Sequence, residues 1–380
     1  MNKIRYYRIS GVNISIQGEG KYAEAFQKYF MTEEVSEVQK PISLAVIVVD
    51  NPKEVEVSAS FFSLSGKISF NHSEYCVKKN NFIYSVSNLF SDTDTAVLKL
   101  CYTARKTLKN KVGTFLLPNH IGINNSGDEF VDSIMNYEVF WYIFAVILMR
   151  QDKIFVHSSM IERNGNALVL AGTGGCGKTS TLLKLMEQKG YKYLGEDFGV
   201  LGCDGIAYYT PKKMAIYQSD AKYGNPDVMK ALNELPVRER LQWKFLIALG
   251  KNPRYRFTPQ QLFGDSRIER QGEIRTIVYM SRVSGKNVFR ASADQSELCT
   301  KIRHATFREL KELAEILNNI RAVGDKSVRK FYPELSQIEC QYEHLLKKIL
   351  SNKTTGMLNV PLKVSPDEIA ENIVDEYWRL

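Results

Sequence analysis

Residues 171–180 read AGTGGCGKTS, and the run Gly172, Thr173, Gly174, Gly175, Cys176, Gly177, Lys178, Thr179 fits the phosphate-loop pattern G-x-x-x-x-G-K-[ST] at every fixed position. Glycines let consecutive backbone N–H groups turn inward around an anion with no Cβ in the way, and a helix that follows adds its positive dipole end. In that pattern Lys178 supplies a mobile charge for the β- and γ-phosphates and Thr179 a hydroxyl for Mg²⁺, with Ser180 closing the nucleotide-binding run.

The pattern needs a buried strand before it and a helix after it, and both are legible. Residues 166–171 (NALVLA) form a short apolar run suited to a covered parallel strand. Residues 180–187 (STLLKLME) carry apolar side chains at helical spacing, and Gly190 stands where a C-cap belongs.

The chain has 380 residues, enough for two or three domains; its 44% apolar and 24% charged residues are ordinary for a globular protein. A net charge of +9 favours anionic partners without choosing among them. Six scattered cysteines show no C-x-x-C pair and no nearby histidines at ligand spacing, which argues against a disulfide framework or a zinc site and for a reducing, cytoplasmic setting. Cys176, inside the loop, reads as a small side chain or as a thiol activated by the loop dipoles. The first residues (MNKIRY) lack the apolar core of a signal peptide. The longest apolar run, Val139 to Met149, has 11 residues, short of the roughly 20 of a membrane span; it reads as a buried helix, with no membrane partner.

Three regions follow from the patterning: a strand-rich N-terminal domain at 1–128, an α/β nucleotide-binding core at 129–295 and a helical C-terminal region at 296–380. In the first, runs at 6–10, 43–49, 55–62 and 96–102 read as antiparallel strands, with Ser65-Gly66-Lys67 as a hairpin turn. An Asn/Gly-rich loop at 118–127 leads into a helix expected over 129–150. In the core, 153–157 reads as a strand ending in His157, Asn164-Gly165 as a hairpin turn, 191–197 as a strand, and 198–201 with 206–209 as a second hairpin. Ser365, Pro366 and Glu368 form a helix start.

Glu196 and Asp197 arrive early: Asp197 lies only 19 positions after Lys178, room for one helix, a glycine turn and one strand. Parallel strands joined by a helix end on the same side, so the acidic pair should stand beside the phosphate loop. Thr179 and Asp197 then make a Mg²⁺ ligand pair, and Glu196 or Asp197 a base near an attacking oxygen, the set that phosphoryl transfer to a hydroxyl needs.

With these residues in place the chain resembles the HPr kinase type of P-loop kinases, related to phosphoenolpyruvate carboxykinases. The matching pieces are His157 with Ser158, Ser159 and Met160; the apolar strand 167–171; the loop Gly172 to Thr179; Lys189-Gly190-Tyr191; and Leu194-Gly195-Glu196-Asp197, together about residues 154–210. The family's acidic pair is usually two aspartates, and its glycine- and isoleucine-rich signature is not found. The resemblance is therefore to a divergent branch, which includes kinases of peptide natural-product pathways, and not to HPr kinase itself. It implies a P-loop kinase core that uses ATP and Mg²⁺ to phosphorylate a hydroxyl, on a serine of a peptide or protein or on a small-molecule alcohol. His157 would lie near the transferred phosphate, Lys178 and Thr179 would hold nucleotide and metal, Glu196 would stand where the family's base stands, and Asp197 would bind metal. The family often assembles through its core, so a homo-oligomer is an open expectation.

A basic stretch from Arg238 to Arg256 interleaves with Trp243, Tyr255 and Phe257. It offers an arginine for the transferred phosphate or a surface for an acidic peptide, and no nucleic-acid fold signature accompanies it. The alternative to a kinase is a P-loop NTPase or nucleotide-dependent regulator in which Glu196 orients water.

Overall fold

The structure, a computed structural model, describes residues 3–36, 41–57, 61–63, 65–79, 81–103, 131, 134, 139–291 and 294–377. Contacts divide the chain into two compact units, Met1–Gln151 with Glu309–Gln341 and Asp152–Arg308 with Tyr342–Leu380. Each is discontinuous, whereas the division expected at 128/129 and 295/296 follows chain order.

The first unit holds a nine-stranded sheet in the order Glu34–Val35, Lys3–Ile9, Val12–Gly18, Leu44–Val49, Ala96–Tyr102, Phe82–Ser87, Glu74–Lys78, Ile68–Phe70, Phe61–Phe62. It is mixed, which corrects the antiparallel expectation: Leu44–Val49 runs parallel to both Val12–Gly18 and Ala96–Tyr102. The reason is a crossover that needs a helix, Gly20–Tyr29, burying Ala23, Ala25 and Phe26. Residues 55–57, expected to begin a strand, instead follow a 3₁₀ turn at Pro52–Glu54, and Phe61–Phe62 is the described part of that run in the sheet. The turn with Gly66 in the left-handed region joins Phe61–Phe62 to Ile68–Phe70 as expected.

Every residue of the helix Val139–Met149 is buried, so the apolar run is core. Phe140 lies 5.1 Å from Phe30 and 5.7 Å from Phe144, ring centre to ring centre. Among these rings a hydrogen-bond chain runs from Tyr75 to Tyr142 (2.9 Å), on to Tyr84 (3.4 Å), and from Tyr84 to Glu312 (2.9 Å), which Lys79 neutralises. The loop expected at 118–127 and the start of the helix expected at 129 lie outside the described residues.

The second unit is built on a mixed sheet in the order Lys153–Val156, Gly199–Gly202, Ile206–Tyr208, Gln271–Val283, Asn166–Gly172, Ser158–Arg163, Lys192–Gly195. Asn166–Gly172 and Gln271–Val283 are parallel, and Thr354–Pro361 extends the parallel set from the other side of Gln271–Val283. Thr354–Pro361 interrupts the C-terminal region expected to be helical; it is held as a strand by pairing with Gln271–Val283 on one side and Phe289–Ala291 on the other. Helix Pro366–Tyr377 follows, its start capped by Ser365, whose Oγ accepts from the Glu368 N–H at 3.2 Å. The chain is thus mixed α/β, and no helix of the described residues is long and apolar enough to cross a membrane.

Candidate functional site

The strand Asn166–Gly172 is buried from Ala167 onward, between Gln271–Val283 and Ser158–Arg163. At its end a Cβ on Gly172 would come within 2.5 Å of the Met280 carbonyl oxygen and 2.9 Å of Cys176 Sγ, so glycine alone fits there. Gly175 and Gly177 adopt φ of +79° and +99°, turning the chain into the helix Lys178–Met186, which Gly177 caps. That helix stops at Met186, and Gly190, expected as its cap, sits beyond it in a separate left-handed turn. Cys176 is fully buried against Gly172, so the small-side-chain reading fits its surroundings better than a reactive thiol.

The hairpin turn at Asn164-Gly165 pairs Ser158–Arg163 with Asn166–Gly172. The strand expected to end in His157 ends at Val156, and His157 lies at the break between Lys153–Val156 and Ser158–Arg163, which pair with different neighbours. Its carbonyl accepts from the Gly172 N–H at 3.3 Å, fixing it beside the loop entrance. Lys192–Gly195 runs antiparallel to Ser158–Arg163 and therefore in the same direction as Asn166–Gly172. The two carboxyl ends share one side, as expected, but with the hairpin strand between them. Asp197 takes φ +65°, a left-handed conformation that costs a non-glycine residue about 1 kcal/mol or more.

This folding brings the predicted residues together. Lys178, buried, donates to the Gly172 and Thr173 carbonyls at 2.9 and 3.0 Å. Thr179 Oγ1 donates to Glu196 Oε1 at 2.6 Å, and Ser180 Oγ to Asp220 Oδ1 at 2.9 Å. One Asp197 oxygen pairs with the Lys212 ammonium and the other lies 3.3 Å from His157 Nδ1. That His157 contact is poorly aligned, and neither ring nitrogen makes a well-formed hydrogen bond.

The surroundings drive the two carboxyls apart. Burial, reinforced by the negative charge of Asp197, pushes Glu196 up to about 7. Burial alone would raise Asp197 too, but Lys212 and His157 outweigh it and hold the group well below the usual carboxylate range. Its side chain remains 38% exposed, consistent with an ionised group at the mouth of the site. Burial first, then the positive charge of Lys178, lowers His157 to about 4, leaving a neutral imidazole at neutral pH. One carboxyl poised near neutrality beside one fixed carboxylate is the separation that acid–base chemistry exploits.

The loop and the acidic pair also suit a nucleotide with magnesium. A Cβ at Gly174 or Gly175 would meet nothing within 4 Å, so the outer side of the loop is open to an anion. A threonine hydroxyl, two carboxylates and phosphate oxygens are the oxygen donors Mg²⁺ accepts. Among the described residues there is no cluster of three or more His, Cys, Asp or Glu side chains suited to a metal held by protein alone.

Two further residues, Lys212 and Arg282, join the site. Lys212 follows the strand Ile206–Tyr208 and reaches Asp197. Arg282, near the end of Gln271–Val283, donates to the Gly175 carbonyl at 2.8 Å and the Pro361 carbonyl at 2.6 Å. Its position was readable as the C-terminal end of a core strand; nothing in the sequence near Lys212 marks it. In the basic stretch, Arg254 lies in the pair of strands Met214–Tyr217 and Arg254–Phe257 and donates to Tyr217 Oη. Neither a protein-family model nor a curated protein matches the chain.

Proposed function

We propose that the chain is an ATP- and Mg²⁺-dependent kinase with a P-loop core of the HPr kinase type, transferring the γ-phosphate to a hydroxyl of a peptide, a protein or a small-molecule alcohol. The observation that carries this reading is the acidic pair beside the loop, Glu196 accepting from the loop's Thr179 Oγ1 at 2.6 Å and Asp197 paired with Lys212; burial raising Glu196 agrees with it.

In this reading the loop N–H groups and Lys178 hold the phosphates, Lys178 exchanging its carbonyl partners for phosphate oxygens. Thr179 and Asp197 hold Mg²⁺, which when bound offsets charge on the phosphates. Glu196 accepts the proton of the acceptor hydroxyl as its oxygen bonds to the γ-phosphorus, and the β,γ-bridging P–O bond breaks, its electron pair leaving with ADP. Neutral His157 lies beside Asp197 and, unprotonated, adds no competing cation. Arg282, fixed by two carbonyls, adds positive charge at the loop.

The test uses the purified chain with γ-labelled ATP and Mg²⁺, with and without serine-containing peptides and small alcohols. The expected result is label on an acceptor, with ADP formed only when an acceptor is present. Rapid release of inorganic phosphate unaffected by any acceptor would place the chain with P-loop NTPases instead.

A further inference from the structure

The helix Val237–Ala248 leaves an apolar ridge in solvent. Val237, Leu241, Phe245 and, just past its end, Leu249 follow one another at intervals of four and are 63, 62, 57 and 56% exposed. The opposite face is committed to the fold: Leu246 is buried, Trp243 packs on the core, and Glu239 accepts from Tyr255 Oη at 2.6 Å. Contiguous apolar surface of this kind marks an interaction site.

Helical spacing places Arg238 along one edge of the ridge and Arg240 and Lys244 along the other, while the helix's one acidic residue, Glu239, is on the inner face. A partner fitting this surface needs its own apolar ridge with acidic residues at its edges. A second copy would set basic edge against basic edge. A bilayer would receive four side chains from one short helix, an attachment no stronger than the marginal hold of a single acyl chain. A complementary helix would bury both ridges and set its acids beside Arg240 and Lys244.

We propose that this ridge is a docking site for an amphipathic, acidic helical segment of a partner polypeptide. Ridges of residues four apart interdigitate with helix axes crossing at about −50°, so about three turns of partner helix would cover the ridge. The inference stands on the exposed ridge and its charges and does not rest on the kinase reading.

The probe is a dye-labelled synthetic helix of about 16 residues, with leucine at every fourth position and glutamates beside them, titrated with the full chain by fluorescence anisotropy. A Kd of about 1–50 μM is expected, weakened at least about tenfold by Leu241→Glu or Phe245→Glu and by raised salt. Both positions are exposed, and unchanged thermal midpoints would show the variants folded. A peptide with lysines in place of the glutamates should fail on the native chain and gain binding on an Arg240→Glu/Lys244→Glu variant. Equal binding of a scrambled peptide would overturn the proposal. So would Phe245-dependent sedimentation with phosphatidylserine vesicles without peptide binding, or a homodimer that Phe245→Glu dissolves.

Discussion

Two buried polar clusters, one in each unit, show how differently a fold can treat hydroxyls and carboxyls. In the first unit Tyr75, Tyr142 and Tyr84 hand hydrogen bonds along to Glu312, which meets Lys79, so every member has a partner and burial pushes each tyrosine well above its ordinary range. In the second, neither ring nitrogen of His157 makes a well-formed hydrogen bond, Asp197 sits in a left-handed backbone, and burial raises the Glu196 carboxyl to about 7. A saturated network fixes a core. An unsaturated one, with strain and a shifted carboxyl, is the pattern that clusters at binding and catalytic sites.

The contrast can be broken from either side. The largest effect is expected from Lys178→Ala, which should lower phosphate transfer by about a thousandfold or more while the chain still melts cooperatively. Asp197→Asn should reduce transfer by about 10²–10⁴-fold yet keep nucleotide binding, read with a fluorescent ATP analogue, within about tenfold. Full activity in that variant would rule out the metal-binding role proposed for Asp197.

Stability should respond in the opposite sense at Glu196. Its folded-state value, about 7, lies above the ordinary 4.5, so the folded chain holds the extra proton and stability falls as pH rises through that interval. Asp197 contributes stability above its ordinary value and loses it as pH falls toward its depressed one. Glu196→Gln should therefore flatten the decline between about pH 4.5 and 7 and add about 1–3 kcal/mol at pH 8, measured by urea unfolding. The smallest effect belongs to the saturated cluster: Tyr142→Phe takes the partner from the buried Tyr75 hydroxyl, while Tyr84 keeps Glu312, and should cost about 1–2 kcal/mol with turnover unchanged. A loss of activity without loss of stability there would erase the distinction between the clusters.

What the sequence made legible was local. The loop, its strand and helix, the Asn164-Gly165 turn and the Ser365 cap are each set by a few neighbouring residues, and each stands where it was expected. What escaped is non-local. Nothing near Lys192–Gly195 says that Ser158–Arg163 will slip between it and the loop strand, and nothing near Lys212 says that it will meet Asp197. The strand Thr354–Pro361 hides among helices because its place depends on Gln271–Val283, about 80 residues earlier. Only two of its eight residues are threonine and one valine, too few to outweigh that setting. The mixed sheet of the first unit turns on one helix, Gly20–Tyr29, whose alanines and glutamate sit between strands.

In the proposed kinase, Glu196 is the group whose ionisation permits transfer. Its most direct test is kcat/KM against pH for the native chain and for Glu196→Gln, with an acceptor found by the labelling experiment. The expected profile rises about tenfold per pH unit up to about 7 and then levels off, with the Gln variant at least about a hundredfold slower and without that rise. A native profile that is flat from pH 5 to 8, or a Gln variant as active as the native chain, would contradict it.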